Sequence, residues 1–243
     1  MKLVKICGLQ TTKAAETAIL NGADFVGCIL VPNRTRTIAN DVAIQISNLA
    51  HHRRPKSISQ IINDINSHNF TTAESYFEYI KSEIVENGPF IVGVFRNQSM
   101  SHVLQSAKEL QLDFIQLHGD EDKMEWIEKF TDAGFGVVPR YVIPRDVEQL
   151  KSDTAKMMEM GALCLPLVDS DQGGEGKLID WDYVSDNLGF TRVLLAGGLN
   201  PDNISDTKRV NNVIGYDVSG GVETDGEKDL VKITRFIVKG KAL

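Results

Sequence analysis

Two apolar runs near the C-terminus stop at paired glycines. Val193-Leu194-Leu195-Ala196 runs into Gly197-Gly198-Leu199-Asn200-Pro201, and Val213-Ile214-Gly215-Tyr216-Asp217-Val218 runs into Ser219-Gly220-Gly221-Val222-Glu223. Glycines there let backbone N–H groups approach a ligand with no side chain in the way. After the first pair, Asn200 suits a helix cap and Pro201 the first helical position. Two such turns side by side make a cradle for an anion, helped by a helix N-terminus. Other chemically able residues sit where apolar runs end. Cys7 closes the first run, just before Gly8, and His118 closes the fourth. Asp169 follows Pro166-Leu167-Val168, Asp217 lies near the end of the last run, and Arg36 lies in the loop Pro32-Asn33-Arg34-Thr35-Arg36-Thr37.

These residues need elements to hold them. Strands are expected at 2–7, 24–31, 90–95, 113–118, 136–142, 162–168, 192–196 and 213–218. Several read as continuous Val/Ile/Leu, as strands buried on both faces do. Helices are expected between and after them, at about 12–21, 40–50, 101–111, 122–133, 146–160, 180–188, 201–210 and 228–239. Eight βα repeats predict a (β/α)8 barrel, whose reactive side chains stand at the C-terminal strand ends and whose last two loops commonly hold phosphate. Each candidate has a plainer reading. A cysteine in an apolar strand usually packs and does nothing else, and Cys28 and Cys164 are read that way. Asp169 alone could be a cap, and Arg34 and Arg36 a solvated pair. Their joint placement at one mouth, with the glycine turns, favours a site.

The 243 residues match one such barrel, roughly 250 residues in general. Residues 1–243 are therefore read as one domain, with an insertion at about 51–89 between helix 2 and strand 3. That segment is too long for an ordinary helix–strand loop. It begins basic, with His51-His52-Arg53-Arg54-Pro55-Lys56, and ends in a helix near 72–86 with Tyr76, Phe77, Ile80 and Ile84 at helical spacing, while His51, His52, Asp64 and His68 are read as solvated loop. A connection from helix to strand lies opposite the active face of a barrel, so the insertion is expected beneath or beside it. His51, His52, His68 and Asp64 match no metal-ligand spacing. The glycine-rich run 171–177 reads equally as a closing lid or a plain loop.

The formal net charge of −7 argues against a nucleic-acid surface. The three cysteines are odd in number and widely spaced, which speaks against a disulfide framework and for a reducing, cytoplasmic setting. No run approaches membrane-spanning length, and the N-terminus does not resemble a signal peptide.

As an ordered set the motifs resemble one family closely. Val4-Lys5-Ile6-Cys7-Gly8, Val31-Pro32-Asn33-Arg34-Thr35-Arg36-Thr37-Ile38, Val92-Gly93-Val94-Phe95-Arg96-Asn97-Gln98 and Ile115-Gln116-Leu117-His118-Gly119-Asp120-Glu121 carry the likeness. So do Leu167-Val168-Asp169-Ser170 with Gly173-Gly174-Glu175-Gly176, and the two glycine turns. The chain resembles the phosphoribosylanthranilate isomerases of tryptophan biosynthesis, in their fungal form, everywhere but about 51–89. That resemblance implies an Amadori rearrangement of an aminoaldose to an aminoketose. It implies Asp169 as the acid that opens the ribose ring and Cys7 as the base at C2. Arg36 would pair with the anthranilate carboxylate, and the amides around Gly197, Gly198, Ser219, Gly220 and Gly221 would hold phosphate. His118 and Asp217 would shape the pocket or bind sugar hydroxyls. No cofactor or metal is implied, and the partner is a small sugar phosphate met by a monomer. An indoleglycerol phosphate synthase would instead place a lysine acid at a strand end. A barrel that only binds a phosphorylated ligand would have no use for Cys7 and Asp169.

Overall fold

A computed structural model describes residues 1–52, 54–170 and 179–243. The expected lid at 171–177 lies outside the described residues. Eight parallel strands close into a barrel in chain order: β1 (Leu3–Ile6), β2 (Phe25–Ile29), β3 (Phe90–Phe95), β4 (Phe114–Leu117), β5 (Gly136–Val142), β6 (Leu167–Asp169), β7 (Val193–Leu195) and β8 (Val213–Val218). Their runs of Val, Ile, Leu and Phe are buried on both faces, towards the lumen and towards the helices. Around them lie α1 (Thr12–Leu20), α2 (Asn40–His51), α3 (Ile58–Asn66), α4 (Ala73–Asn87), α5 (Met100–Glu109), α6 (Lys123–Asp132), α7 (Val147–Met160), α8 (Trp181–Asn187) and α9 (Leu230–Lys241). Side-chain caps start many of them, with Thr11, Ser57, Thr72, Ser99, Asp122, Asp180 and Asp229 each accepting from an amide of the first turn.

Two elements depart from expectation. β6 begins at Leu167 rather than 162, because Pro166 has no N–H to give the ladder; Cys164 makes only an isolated bridge to Val137. No α-helix forms over 201–210. Residues Ile204–Arg209 take tighter 3-10 turns instead. The segment is rich in Asn, Asp, Ser and Thr, whose side chains compete for backbone groups and favour turns. Asn200 accordingly accepts from the amides of Asp202 and Asn203, closing a local turn.

The insertion holds two helices, not one. Ile58, Ile61, Ile62 and Ile65 make a buried stripe on α3, a spacing present in the sequence that the expected elements do not include. Ser57 and Gln60 form a reciprocal capping box that starts it. On α4, Tyr76, Phe77, Ile80 and Ile84 are fully buried, as their spacing predicts. The pair sits against the N-terminal strand ends, opposite the mouth. Tyr76 Oη donates to the carbonyl of Ala162 at 2.7 Å, and Glu74 pairs with Arg192 at 2.9 Å. Arg54 clamps Asp113 with both of its terminal nitrogens, and Asp113 in turn accepts from the Ile91 amide at the start of β3. His51 Nε2 lies 3.4 Å from the same carboxylate.

This placement separates stability from turnover. Phe77→Ala should cost about 3–5 kcal/mol of stability and Tyr76→Phe about 1 kcal/mol. Both variants should keep kcat within about twofold, well under the ~1.4 kcal/mol that a tenfold change represents. Urea unfolding and steady-state kinetics on the same preparations test this. A folded Tyr76→Phe with a large loss of kcat would show that the insertion reaches the mouth.

Candidate active site

The C-terminal ends of the strands surround a cavity of about 750 Å³. Its wall contains Cys7, Arg36, His118, Asp169, Gly197, Gly198, Asp217, Ser219, Gly220 and Gly221, so the fold brings every sequence candidate to one place. Arg34, Arg96, Gln116 and Glu223 line it as well.

Cys7 follows the last residue of β1, and its amide donates to Val218 of β8 at 2.8 Å. Alternate strand residues share a face, so Lys5 and Cys7 both look into the barrel. Lys5 is fully buried, and its Nζ lies 2.7 Å from Asp217 Oδ1. The Cys7 thiol is the next group to act on its charge. A Cβ on Gly27 of β2 would stand 2.9 Å from Cys7 Sγ and 3.2 Å from Lys5 Nζ, so a glycine there leaves room for both. Burial pushes the Cys7 thiol above its ordinary range, and the Lys5 ammonium pulls the other way. Burial also disfavours the charged form of Lys5, but Asp217 and Cys7 outweigh it and keep the ammonium protonated.

Asp169 ends β6, three strands from β1 around the ring. It is buried, and burial raises its carboxyl above the usual range against the pull of Arg140, whose Nε lies 3.6 Å away. Its Oδ1 accepts from the Ser170 amide at 2.8 Å. Arg140 also donates from Nη2 to the Ser170 carbonyl at 2.5 Å. On β4, Gln116 shares the inner face with His118, Nε2 to Nδ1 3.4 Å. Burial, then the charges of Arg140, Lys5, Arg96 and Arg34, lower His118 to about 3. It is neutral at pH 7 and can exchange hydrogen bonds without carrying charge.

The glycine turns face each other. Gly197 and Gly198 both have positive φ, +84° and +65°, a pair of left-handed residues that side chains would strain. Gly221 lies so close to this turn that a Cβ on it would be 1.8 Å from the Leu199 carbonyl oxygen. Among the described residues, the amides of Gly197, Gly198, Ser219, Gly220 and Gly221 donate no hydrogen bond. Clustered, unpaired donors beside a cavity form a nest for an anion. The helix N-terminus expected to help is missing; Asn203 steadies the turn instead, donating to the Gly198 carbonyl at 2.9 Å.

Arg36 is half-buried and held rather than free in solvent. It makes a bidentate pair with Glu223, Nε to Oε1 2.7 Å and Nη2 to Oε2 2.9 Å. Glu223 also accepts from Lys228 at 2.7 Å. Sequence reasoning assigned no role to Arg140, Gln116, Glu223 or Lys228. Arg140 and Gln116 did leave a signal, being polar residues inside apolar strands. Glu223 and Lys228 left none, because only folding brings them to Arg36. Among the described residues, no group of three or more His, Cys, Asp and Glu could hold a metal ion, the set at 51–68 included. No helix among them is long and apolar enough to cross a membrane.

A closed (β/α)8 barrel with a buried thiol, a buried carboxyl and an amide nest at its C-terminal mouth defines an enzyme for a small anionic substrate. Comparison with known proteins narrows the class. Residues 53–239 match the family model described as N-(5'phosphoribosyl)anthranilate (PRA) isomerase. The N-(5'-phosphoribosyl)anthranilate isomerase of Candida albicans is 48% identical, covering 100% of this chain and 99% of that protein. The one from Saccharomyces cerevisiae is 39% identical over 98% and 94%. Among solved structures, the phosphoribosyl anthranilate isomerase of Thermotoga maritima superposes with a TM-score of 0.71 at 28% identity, all of both chains covered. Another, in complex with reduced 1-(o-carboxyphenylamino)-1-deoxyribulose 5-phosphate, gives 0.70 at 27%, again over all of both chains. The chain belongs to the phosphoribosylanthranilate isomerase family.

The nest makes its own prediction. A Cβ at position 221 meets backbone, which cannot swing aside, so Gly221→Ala must push the two turns apart. Its affinity for inorganic phosphate should fall at least about tenfold, or ~1.4 kcal/mol, by calorimetry. Unchanged affinity would place the anion elsewhere.

Proposed function

We propose that the protein catalyses the Amadori rearrangement of N-(5'-phosphoribosyl)anthranilate to 1-(2-carboxyphenylamino)-1-deoxyribulose 5-phosphate, a step of tryptophan biosynthesis. One observation carries this beyond family membership. A buried carboxyl with raised proton affinity and a buried thiol beside an ammonium stand at one mouth, above an amide nest.

The reaction needs an acid at the ribose ring oxygen and a base at C2. Asp169 protonates the ring oxygen, opening the ring to a Schiff base. Its burial favours the neutral carboxyl that can give this proton. Cys7 then takes the C2 proton as a thiolate, giving an enolamine that tautomerises to the ketone. Burial opposes the thiolate, so Lys5 is the group that supports it. The nest at 197–198 and 219–221 holds the phosphate, and Arg36 meets the anthranilate carboxylate. Neutral His118 and Asp217 border the sugar and contact its hydroxyls. No step calls for a metal or cofactor. The reading also carries a monomer, working in the cytoplasm on a small sugar phosphate and on neither nucleic acid nor membrane.

The decisive measurement is turnover of freshly made phosphoribosylanthranilate, followed by its anthranilate-type fluorescence. No rate above spontaneous decay would overturn the reading. Cys7→Ala and Asp169→Ala should each lower kcat by about 10²–10⁴-fold while remaining folded. Activity within a few-fold of the unaltered enzyme would remove that residue from its role.

The pH profile follows from the two shifts, both upward from the ordinary values. The active form holds Asp169 protonated and Cys7 ionised. Between the two pKa values, raising pH loses acid as fast as it gains thiolate, so kcat/KM is level. Below the Asp169 pKa thiolate is lost without gain of acid, and above the Cys7 pKa acid is lost without gain of thiolate. The profile should be flat around neutrality and fall on both sides. A low-pH limb that persists unshifted in the residual activity of Asp169→Asn would point to another titrating group.

A further inference from the structure

Glu223 is out of place on simple charge grounds. It is an acidic side chain, one-tenth exposed, in the wall of a cavity built for an anionic substrate. A fixed negative charge there opposes every anion that enters. Its contacts suggest what offsets that cost. Both of its oxygens hold Arg36, through Nε and Nη2. Oε1 also accepts from Lys228 Nζ at 2.7 Å, and the same Nζ donates to the Ser219 carbonyl at 2.8 Å. Lys228 is itself buried. Burial disfavours the Glu223 carboxylate, but hydrogen bonds from Arg36 and Lys228 outweigh it and hold it ionised.

The backbone is arranged around this chain of charges. A short antiparallel hairpin, β9 (Glu223–Thr224) with β10 (Glu227–Lys228), stands apart from the barrel sheet. Its register pairs Glu223 with Lys228 directly. Asp229 caps α9 from just beyond the hairpin, and Lys232 Nζ on α9 donates to the Glu223 carbonyl at 2.6 Å. One end of the relay is Arg36, in the loop after β2; the other is Ser219, in the amide nest. Between them, a Cβ on Gly220 would stand 3.2 Å from Arg36 Nη2. Bidentate pairing fixes the plane of a guanidinium. Among the described residues, Arg36 Nη1 makes no hydrogen bond and is left to meet a second anion.

We propose that Glu223 is a positioning residue that orients Arg36 for the substrate's carboxylate, and that Lys228 ties this pair to the phosphate turn. The relay thereby sets the spacing between the two anionic ends of the substrate. This rests on the reading above in which Arg36 takes the carboxylate and the 219–221 turn takes the phosphate.

Charge alone and orientation predict opposite signs for Glu223→Gln, which makes the test sharp. Three ligands are titrated by calorimetry: the reduced product analogue, the same molecule with phenyl in place of carboxyphenyl, and inorganic phosphate. With orientation lost, Glu223→Gln should bind the carboxylate-bearing analogue about tenfold more weakly, a typical loss for one charge-assisted contact. Its affinity for the phenyl analogue and for phosphate should be unchanged or tighter. Arg36→Met should show the same selective loss, and adding Glu223→Gln to it should cost nothing more, because the first acts through the second. Lys228→Met should weaken inorganic phosphate severalfold, since Ser219 loses its anchor. Tighter binding of the carboxylate-bearing analogue by Glu223→Gln would overturn the proposal. So would equal loss for both analogues, a multiplicative loss in the double variant, or unaltered phosphate binding by Lys228→Met. If the unaltered enzyme itself fails to distinguish the two analogues, the assignment of Arg36 to the carboxylate is wrong and the proposal falls with it. That outcome is read from the unaltered enzyme alone, so the two failures are distinguishable.

Discussion

The first strand and the last meet at a buried ion pair. Lys5 and Asp217 are register partners across the β1–β8 seam, with Nζ and Oδ1 2.7 Å apart. Taking both charges out of water is expensive, and only close geometry offsets it; removing one partner alone leaves an uncompensated charge worth about 3–5 kcal/mol. The seam therefore ties barrel closure to two residues from opposite ends of the chain. It also supplies the site. Cys7 lies one inward position above Lys5, and the space for both exists because β2 carries Gly27 beside them. The same ammonium that helps close the barrel is the positive charge that acts most strongly on the thiol.

Burial then acts on Asp169, Cys7 and His118 at the mouth, with opposite chemical results. It raises Asp169 towards the neutral acid, raises Cys7 away from the thiolate, and lowers His118 into a permanently neutral ring. A carboxyl that keeps its proton is useful as an acid, so for Asp169 burial is the main device, helped by the negative charge of Asp217, with Arg140 and the Ser170 amide setting its limit. A thiol that keeps its proton is not yet a base, so Cys7 needs Lys5 besides. Four arginines, Arg34, Arg36, Arg96 and Arg140, border the same cavity or its acid, which suits a substrate with two anionic ends although the chain as a whole carries −7.

The two faces of the barrel divide the work. Beneath it, α3 and α4 bury an isoleucine stripe and an aromatic cluster against the N-terminal strand ends, closed by Arg54 on Asp113 and Tyr76 on Ala162. At the mouth, five amides stay unpaired among the described residues, and Gly8, Gly197 and Gly198 hold left-handed backbone. Unpaired donors lower stability, and a site that must receive an anion has to keep them. The packing underneath offsets that loss at the far end of the same strands.

Much of this was legible along the chain. The alternation of apolar strands with amphipathic helices specified the barrel, because that periodicity is local and each βα unit repeats it. Topology then brought Cys7, Arg36, His118, Asp169 and the glycine turns to one mouth, since every strand of a parallel barrel ends on the same side. The α3 stripe was equally local and was obscured only by the polar residues before it. Other features had no local signal. Whether 201–210 would wind as an α-helix depended on a balance of weak propensities that the turn chemistry of Asn200 and Asn203 tipped. The partners of Arg36 and Lys5 lie 187 and 212 residues away in sequence, and no spacing announces such pairs. The residue types that could do chemistry, and the face on which they would stand, were set by sequence pattern. Their protonation, the orientation of Arg36 and the register of the charge relay were decided by the tertiary structure, because burial and hydrogen bonding exist only once distant segments meet.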